Sequence, residues 1–260
     1  MPDFTLRSYQ SLLEALLQND YRFLTFRDFI ASRPNLQGKV AVLRHDVDRL
    51  PGHSLRFALF QHQKGIAGSY YFRAVPESWD EAVIRQIASL GHEVGYHYED
   101  LTLAGGNTTK AFGLFTQHLE ALRQLAPVST ICMHGSPRSR HDSRDLWKHN
   151  DYRSLGIVAE PYFDVDFDRC FYLTDTGRRW DGFRVSVRDK VPQQEAWIAQ
   201  GLTFRTTSQI VKAVRSGVLP HRVMFTFHPQ RWTSQPIEWA REWLFQNMKN
   251  SIKRFFVSST

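Results

Sequence analysis

Residues 39–48 are Lys-Val-Ala-Val-Leu-Arg-His-Asp-Val-Asp, a short apolar run that passes directly into charged side chains. The apolar half predicts a buried β-strand. Because side chains alternate along a strand, Asp46 and Asp48 lie on one side and His45 on the other. Two carboxylates on one face repel each other unless a cation or a shared proton lies between them. The stretch therefore predicts a metal site or an acid–base pair, with a solvated pair in the turn near Pro51 as the alternative.

Outward from this strand, strand-like apolar runs and helical patterns alternate along the first half of the chain. The predicted strands are 39–43, 69–72, 93–97 and 130–134, and the predicted helices include 11–17, 109–125 and two that Ser54 and Ser78 are expected to cap. Such alternation is typical of parallel βαβ units, in which catalytic groups gather where the strands end.

The second half of the chain has less regular patterns. Apolar runs occur at 170–173, 183–187 and 223–227, and helical patterns at 208–216 and 237–245. Because neither an internal repeat nor a Gly/Pro/Ser-rich linker divides the sequence, we expect one domain over residues 1–260.

Three further strand ends carry a histidine. His97 lies in the string Gly-His-Glu-Val-Gly-Tyr-His-Tyr-Glu-Asp at 91–100, His134 in Met-His-Gly-Ser-Pro at 133–137, and His228 in Thr-Phe-His-Pro at 226–229. Neutral imidazole and carboxylate together form the ligand set that suits zinc and similar divalent ions. One histidine at a strand end is most often structural, but four strand ends that each carry Asp or His predict a shared site.

The composition describes an ordinary globular protein with 260 residues, 42% hydrophobic content, 2 Cys and a formal net charge of +7. These values exclude disordered, collagen-like and disulfide-stapled classes. The basic residues are scattered, which favours a solvated basic surface or an anionic substrate over nucleic acid. Because the sequence contains no signal-peptide pattern and no run of about 18 apolar residues, we expect a cytoplasmic protein without a membrane segment.

At these motifs the chain resembles the polysaccharide deacetylase family, the NodB-homology carbohydrate esterases. The resemblance spans roughly residues 39–232 and implies an α/β fold, a distorted (β/α) barrel of fewer than eight strands, with helical extensions at both ends. It also implies one divalent metal ion, with zinc expected, and hydrolysis of N-acetyl or O-acetyl groups on sugars. Carried over to this sequence, Asp46 is the general base, Asp48 and His97 are metal ligands, and His228 is the general acid.

The chain departs from the family pattern in three places. Leu101 stands where the second motif usually has another histidine, so the third metal ligand is expected to be His134, with His92 and Glu99 as alternatives. The third motif normally carries an arginine, which His134 replaces, with Arg138 just downstream. The fourth motif has only two approximate matches, at 164–166 and 180–181.

These observations predict a metal-dependent deacetylase, a hydrolase acting on C–N bonds other than peptide bonds. Its expected substrate is a carbohydrate or sugar nucleotide that contains an amino sugar. Two alternatives stay open: a haloacid-dehalogenase-like phosphatase, which also has an Asp-x-Asp strand end, and an inactive barrel that binds carbohydrate or nucleic acid. The sequence does not determine the oligomeric state.

Overall fold

A computed structural model describes residues 2–135, 139–181 and 191–257 of the chain. Its centre is a sheet of seven parallel strands. They are β1 (Arg22–Leu24), β2 (Val40–Val47), β3 (Ser69–Phe72), β4 (Glu93–Tyr98), β5 (Ile131–Met133), β6 (Phe171–Thr174) and β7 (Arg222–Phe227). The order is β5-β4-β3-β2-β7-β6, and β1 pairs with the first half of β2. Within the described ranges β5 and β6 are the edges, so the sheet is an open half-barrel.

Helices connect the strands. They are α1 (Leu6–Gln18), α2 (Phe26–Ser32), α3 (Pro51–Gln63), α4 (Glu81–Ser89), α5 (Asp100–Leu103), α6 (Thr108–Arg123), α7 (Pro161–Asp164), α8 (Gln194–Ala199), α9 (Thr207–Arg215) and α10 (Pro236–Val257). No described helix is long and apolar enough to span a membrane. The parallel α/β class with fewer than eight strands is therefore confirmed, while the predicted run 183–187 lies outside the described residues.

The central position of β2 fixes the orientation of its polar end. It pairs with β1, β3 and β7 and is buried along its whole length. On one face, the ring of His45 stacks on Tyr70 at 4.1 Å between centroids. Its Nδ1 donates to the Ser69 carbonyl at 3.1 Å, and its Nε2 lies 3.2 Å from the Tyr9 hydroxyl and 3.0 Å from the Gln61 amide. This satisfied network occupies one face of β2 and leaves the two aspartates on the other.

The predicted helix caps at Ser54 and Ser78 are wrong. α3 begins at Pro51, four residues earlier than a Ser54 cap requires, after Leu50 with a φ of 54°, so Ser54 is buried inside the helix. α4 is capped by the Asp80 side chain, whereas the Ser78 hydroxyl donates to the Val47 carbonyl. Pro51 sets the start of α3 instead of Ser54, because proline has no N–H to satisfy and favours the first helical position. Ser78 does not cap α4 because its hydroxyl forms a tertiary hydrogen bond with the end of β2.

Candidate functional site

The polar side chains at the carboxyl ends of the strands meet at one edge of the sheet. Asp46 lies near the end of β2 and Asp48 just beyond it, His97 is in β4, and His134 and His228 follow β5 and β7. In the strand register, His97 is paired with a residue of β5 and the end of β2 lies beside β3 and β7. The structure thus brings together all five residues that the sequence analysis selected.

Asp48, His97 and His134 form the tightest group. Asp48 Oδ1 lies 3.5 Å from His97 Nε2 and 3.7 Å from His134 Nε2. Asp48 Oδ1 is buried and accepts no hydrogen bond, whereas Oδ2 accepts one from the Gln230 side-chain amide at 2.9 Å. A buried carboxylate oxygen that accepts no hydrogen bond costs free energy. Asp48 Oδ1 therefore needs a partner from outside the protein.

Both histidines are held by their other ring nitrogen. His97 Nδ1 donates to the Cys132 carbonyl at 3.0 Å, and His134 Nδ1 donates to Glu99 Oε2 at 2.8 Å. Each bond fixes the tautomer that leaves Nε2 with a free lone pair facing Asp48. Histidine ligands of metals characteristically donate their second N–H to a carbonyl or carboxylate in this way.

Glu99 is itself anchored by Arg73. Its Oε1 accepts from Arg73 Nε at 2.7 Å, and Arg73 Nη1 donates to the Asp48 backbone carbonyl at 2.9 Å. Burial alone would raise the pKa of Glu99, but the bond from His134 and the charge of Arg73 outweigh it and lower that pKa. Arg73 and Glu99 therefore tie the His134 ring and the Asp48 backbone to one another.

These three donors fit a divalent cation. Zinc bonds of about 2.0–2.2 Å in tetrahedral geometry place neighbouring ligand atoms roughly 3.4 Å apart, close to the two separations from Asp48 Oδ1. The three ligand atoms all lie within 4.8 Å of one another. One oxygen and two imidazole nitrogens would leave a coordination position for substrate, as catalytic zinc sites do.

A second donor group of Asp46, His97 and Cys132 overlaps the first. It fits less well, because both oxygens of Asp46 already accept bonds from Arg44: Nε donates to Oδ1 at 2.8 Å and Nη2 to Oδ2 at 2.7 Å. Burial would raise the pKa of Asp46, but Arg44 and His97 outweigh it and the pKa lies below its ordinary value. Asp46 is thus an oriented, ionised carboxylate beside the metal group.

His228 faces the same space from β7. Its Nδ1 lies 2.5 Å from Asp175 Oδ1, and its Nε2 lies 4.0 Å from Asp48 Oδ2. Burial and Arg231 lower the pKa of His228, but Asp175 and Asp48 outweigh them and the net shift is upward. Trp232 Nε1 also donates to the Asp175 carboxylate, which fixes its orientation. Asp175 therefore orients the His228 ring, raises its pKa and leaves Nε2 directed into the site.

Several sequence alternatives are not part of this site. His92 precedes β4 and so lies near the amino-terminal ends of the strands, away from His97. One of its ring nitrogens accepts from a backbone N–H and the other donates to a backbone carbonyl. Leu101 is buried in α5, and Glu99 contacts His134 rather than the ligand space. The two approximate matches to the fourth motif form ion pairs elsewhere: Asp164 with Arg153 and Asp181 with Arg179. Residues 136–138, including Arg138, lie outside the described part of the chain.

The sequence analysis missed three residues that organise the site. Arg44 supplies a guanidinium group to the site, whereas the sequence analysis considered Arg138. The alternation of side chains along β2 could have identified it, because it places Arg44 on the same face as Asp46. Asp175 directly follows β6, so the strand-end rule covers it, but the strand was ambiguous in sequence. Arg73 follows β3 in the same way.

No protein-family model and no curated protein matches the chain. Among solved structures it is similar to a Streptococcus mutans CE4 esterase (13% identity, 90% of this chain and 87% of that one, TM-score 0.45). It is also similar to a CE4 family pseudoenzyme from Bacillus anthracis (11% identity, 84% and 62% coverage, TM-score 0.43). A third is a family 4 carbohydrate esterase from Streptomyces lividans in complex with acetate (12% identity, 84% and 90% coverage, TM-score 0.41). Because these TM-scores are below 0.5, the chemistry of the site is inferred from the residues of this chain.

Proposed function

We propose that the chain is a metal-dependent hydrolase that removes an acetyl or similar acyl group from a molecule containing an amino sugar. One observation carries the proposal: the unpartnered Asp48 Oδ1 faces the free Nε2 atoms of His97 and His134. The Asp46 carboxylate on one side and the His228 imidazole, whose pKa is raised, on the other complete the set. This is the arrangement needed to hydrolyse an amide with a poor leaving group.

Asp48, His97 and His134 would hold the metal ion, and zinc suits their oxygen and nitrogen donors. Such an ion, when bound, supplies Lewis acidity toward a carbonyl oxygen and lowers the pKa of water at the site. The tethers from Cys132 and Glu99 keep both imidazoles in the tautomer that can bind a cation.

Asp46 and His228 would move the protons. Asp46 is ionised and held by two bonds from Arg44, so it can accept a proton from the attacking water. His228, whose ring Asp175 orients and whose pKa Asp175 raises, is suited to donate a proton from Nε2 to the departing amine. Each such group contributes a factor of about 10² to 10⁴ to the rate.

The substrate class is the less constrained part of the proposal. An amino sugar supplies an acetylated amine, and the net charge of +7 favours an anionic carrier such as a phosphate- or nucleotide-linked sugar.

Acetate release and metal content together test the proposal. Purified protein should bind about one equivalent of zinc and release acetate from at least one of a panel of N-acetylated sugars, sugar nucleotides and chitooligosaccharides. The Asp48→Ala, His97→Ala double variant should lose both. Asp166→Asn is the matched control, because Asp166 is exposed and its carboxylate contacts Arg169 and the Asp168 backbone N–H near the surface.

The outcomes separate the alternatives. Metal-dependent phosphate release without acetate release would replace the proposal with the phosphatase. A metal-replete protein that cleaves neither class would indicate an inactive binding barrel. Equal metal content in the double variant and the native protein would remove the metal site.

A further inference from the structure

A cavity of about 350 Å³ lies between the first residues of the chain, α10 and the loop after β6. We call it the α10 cavity. Its walls include Arg178, Arg179 and Arg205, together with Trp239 and Trp243 of α10. Its volume is at the lower end of the roughly 300–1,000 Å³ usual for small-molecule pockets. It therefore has room for a compact group and not for a polymer.

Arg178 is the unusual member of this wall. The residue is only 9% exposed, and its Nη1 donates to the Trp239 carbonyl at 2.9 Å. Its Nε and Nη2 are buried and have no hydrogen-bond partner. The guanidinium lies 5.6 Å from the centre of the Phe4 ring and 4.7 Å from that of the Trp239 ring, which offsets part of the cost of burying its charge. The two unpartnered N–H groups remain uncompensated.

The carboxylates near Arg178 cannot supply that compensation. Asp3, Glu242 and Asp175 are close enough to act on its charge, and still burial dominates and lowers the pKa of Arg178. Their oxygens already accept other bonds: Asp3 from the backbone of Phe4 and Thr207, Glu242 from Arg49 and Gln246, and Asp175 from His228, Arg231 and Trp232. The carboxylates around the buried Arg178 guanidinium therefore accept hydrogen bonds from other donors.

The other two arginines differ from one another. Arg179 is neutralised by a two-point pair with Asp181. Arg205 is exposed and forms no ion pair within the described part of the chain. Arg178 and Arg205 therefore give the α10 cavity two guanidinium groups that form no ion pair with a described residue, while Asp3, which also lines the cavity, accepts from backbone N–H groups.

The α10 cavity adjoins the edge of the sheet that carries the candidate metal site. Arg178 lies three residues after Asp175, and its backbone N–H donates to the Asp175 carbonyl at 2.9 Å. On the other side, Glu242 of α10 pairs at 2.9 Å with Arg49, which directly follows Asp48. The same two loops thus contribute to the site and to the contacts of α10.

We propose that the α10 cavity binds an oxyanion, a phosphate or carboxylate group, carried by the amino-sugar substrate. Arg178 and Arg205 provide the cationic contacts, because guanidinium groups match the geometry of phosphate and carboxylate oxygens. Trp243, which is 47% exposed, offers an apolar face beside them. The assignment of the oxyanion to the substrate rests on the proposed function, whereas the binding of an oxyanion does not.

Calorimetric titration of three probes tests this inference: N-acetylglucosamine, N-acetylglucosamine 1-phosphate and glucuronic acid. The titrations use the Asp48→Ala, His97→Ala protein, so that no anion is bound through a metal ion. At least one of the charged probes should bind tenfold or more tightly than the neutral sugar. Preference for the phosphate or for the carboxylate identifies the oxyanion.

Arginine variants in the same background locate the bound anion. Arg178→Met should weaken binding of the charged probe by about tenfold or more, and Arg205→Gln by a few fold, since each removes a charge-assisted contact. Arg205 is exposed, so its variant keeps the fold and decides the outcome if Arg178→Met does not fold. Arg169→Gln is the control, because it removes one positive charge from an exposed ion pair.

Equal affinity for all three probes would overturn the inference, as would unchanged affinity in the folded arginine variants. The two proposals fail separately. Acetate release from a neutral amino sugar without oxyanion binding would overturn only the oxyanion site. Oxyanion binding that depends on Arg178 or Arg205, without acetate release from any substrate, would overturn only the deacetylase.

Discussion

Replacing Glu99 with glutamine should weaken divalent-metal binding by about 10- to 100-fold without removing any ligand. Glu99 Oε2 accepts from His134 Nδ1 at 2.8 Å and Oε1 accepts from Arg73 Nε at 2.7 Å, so both oxygens face donors. A glutamine amide must turn its NH₂ toward one of them. Two opposed donors in a buried site cost about 1–3 kcal/mol, which corresponds to a loss of roughly one to two orders of magnitude in affinity.

The assay is zinc titration in competition with a chromophoric chelator, with thermal unfolding to verify the fold. His134→Ala should lose more affinity than Glu99→Gln, because it removes a ligand outright. Glu120→Gln is the matched control, since Glu120 is an exposed carboxylate paired with Arg123. Affinity within threefold of native in Glu99→Gln would refute the positioning role of Glu99. Native affinity in His134→Ala would refute the ligand assignment itself.

Three further outcomes are expected. Asp46→Asn should lower turnover by about 10² to 10⁴ with metal content unchanged; near-native acetate release would contradict its role as base. Burial lowers the pKa of His228 and Asp175 raises it, so Asp175→Asn should move the alkaline limb of the pH–rate profile to lower pH, and an unmoved limb would contradict His228 as the acid. Burial lowers the pKa of His45 to about 3, from an ordinary value of 6.5. At pH values between these two pKa values, the unfolded state therefore binds one more proton than the folded state. The free energy of unfolding should fall by about 1.4 kcal/mol for each unit that the pH drops through this window. Urea unfolding at pH 4–6 should show a shallower pH dependence for His45→Phe; equal slopes would contradict this.

Much of the site follows from rules that act locally along the chain. Alternation along β2 is sufficient to place Asp46 and Asp48 on one face, and the same rule would also have placed Arg44 there. The carboxyl ends of parallel strands meet at one edge, which groups His97 and His134 with the aspartates before any contact is known. These placements follow because strand geometry and parallel βα connections are set by backbone sterics, which short sequence patterns report directly.

Other features were decided only by tertiary contacts. Whether a histidine offers a free ring nitrogen depends on what its second nitrogen meets, and for His134 that partner is Glu99, 35 residues away in sequence. Asp175 acquires its role by contact with His228, 53 residues further along the chain. Ser54 had a valid capping signal but was displaced by an earlier helix start. Hydrogen-bond pairing and desolvation depend on which distant groups are packed together, so the protonation states and orientations on which the chemistry depends are properties of the folded chain.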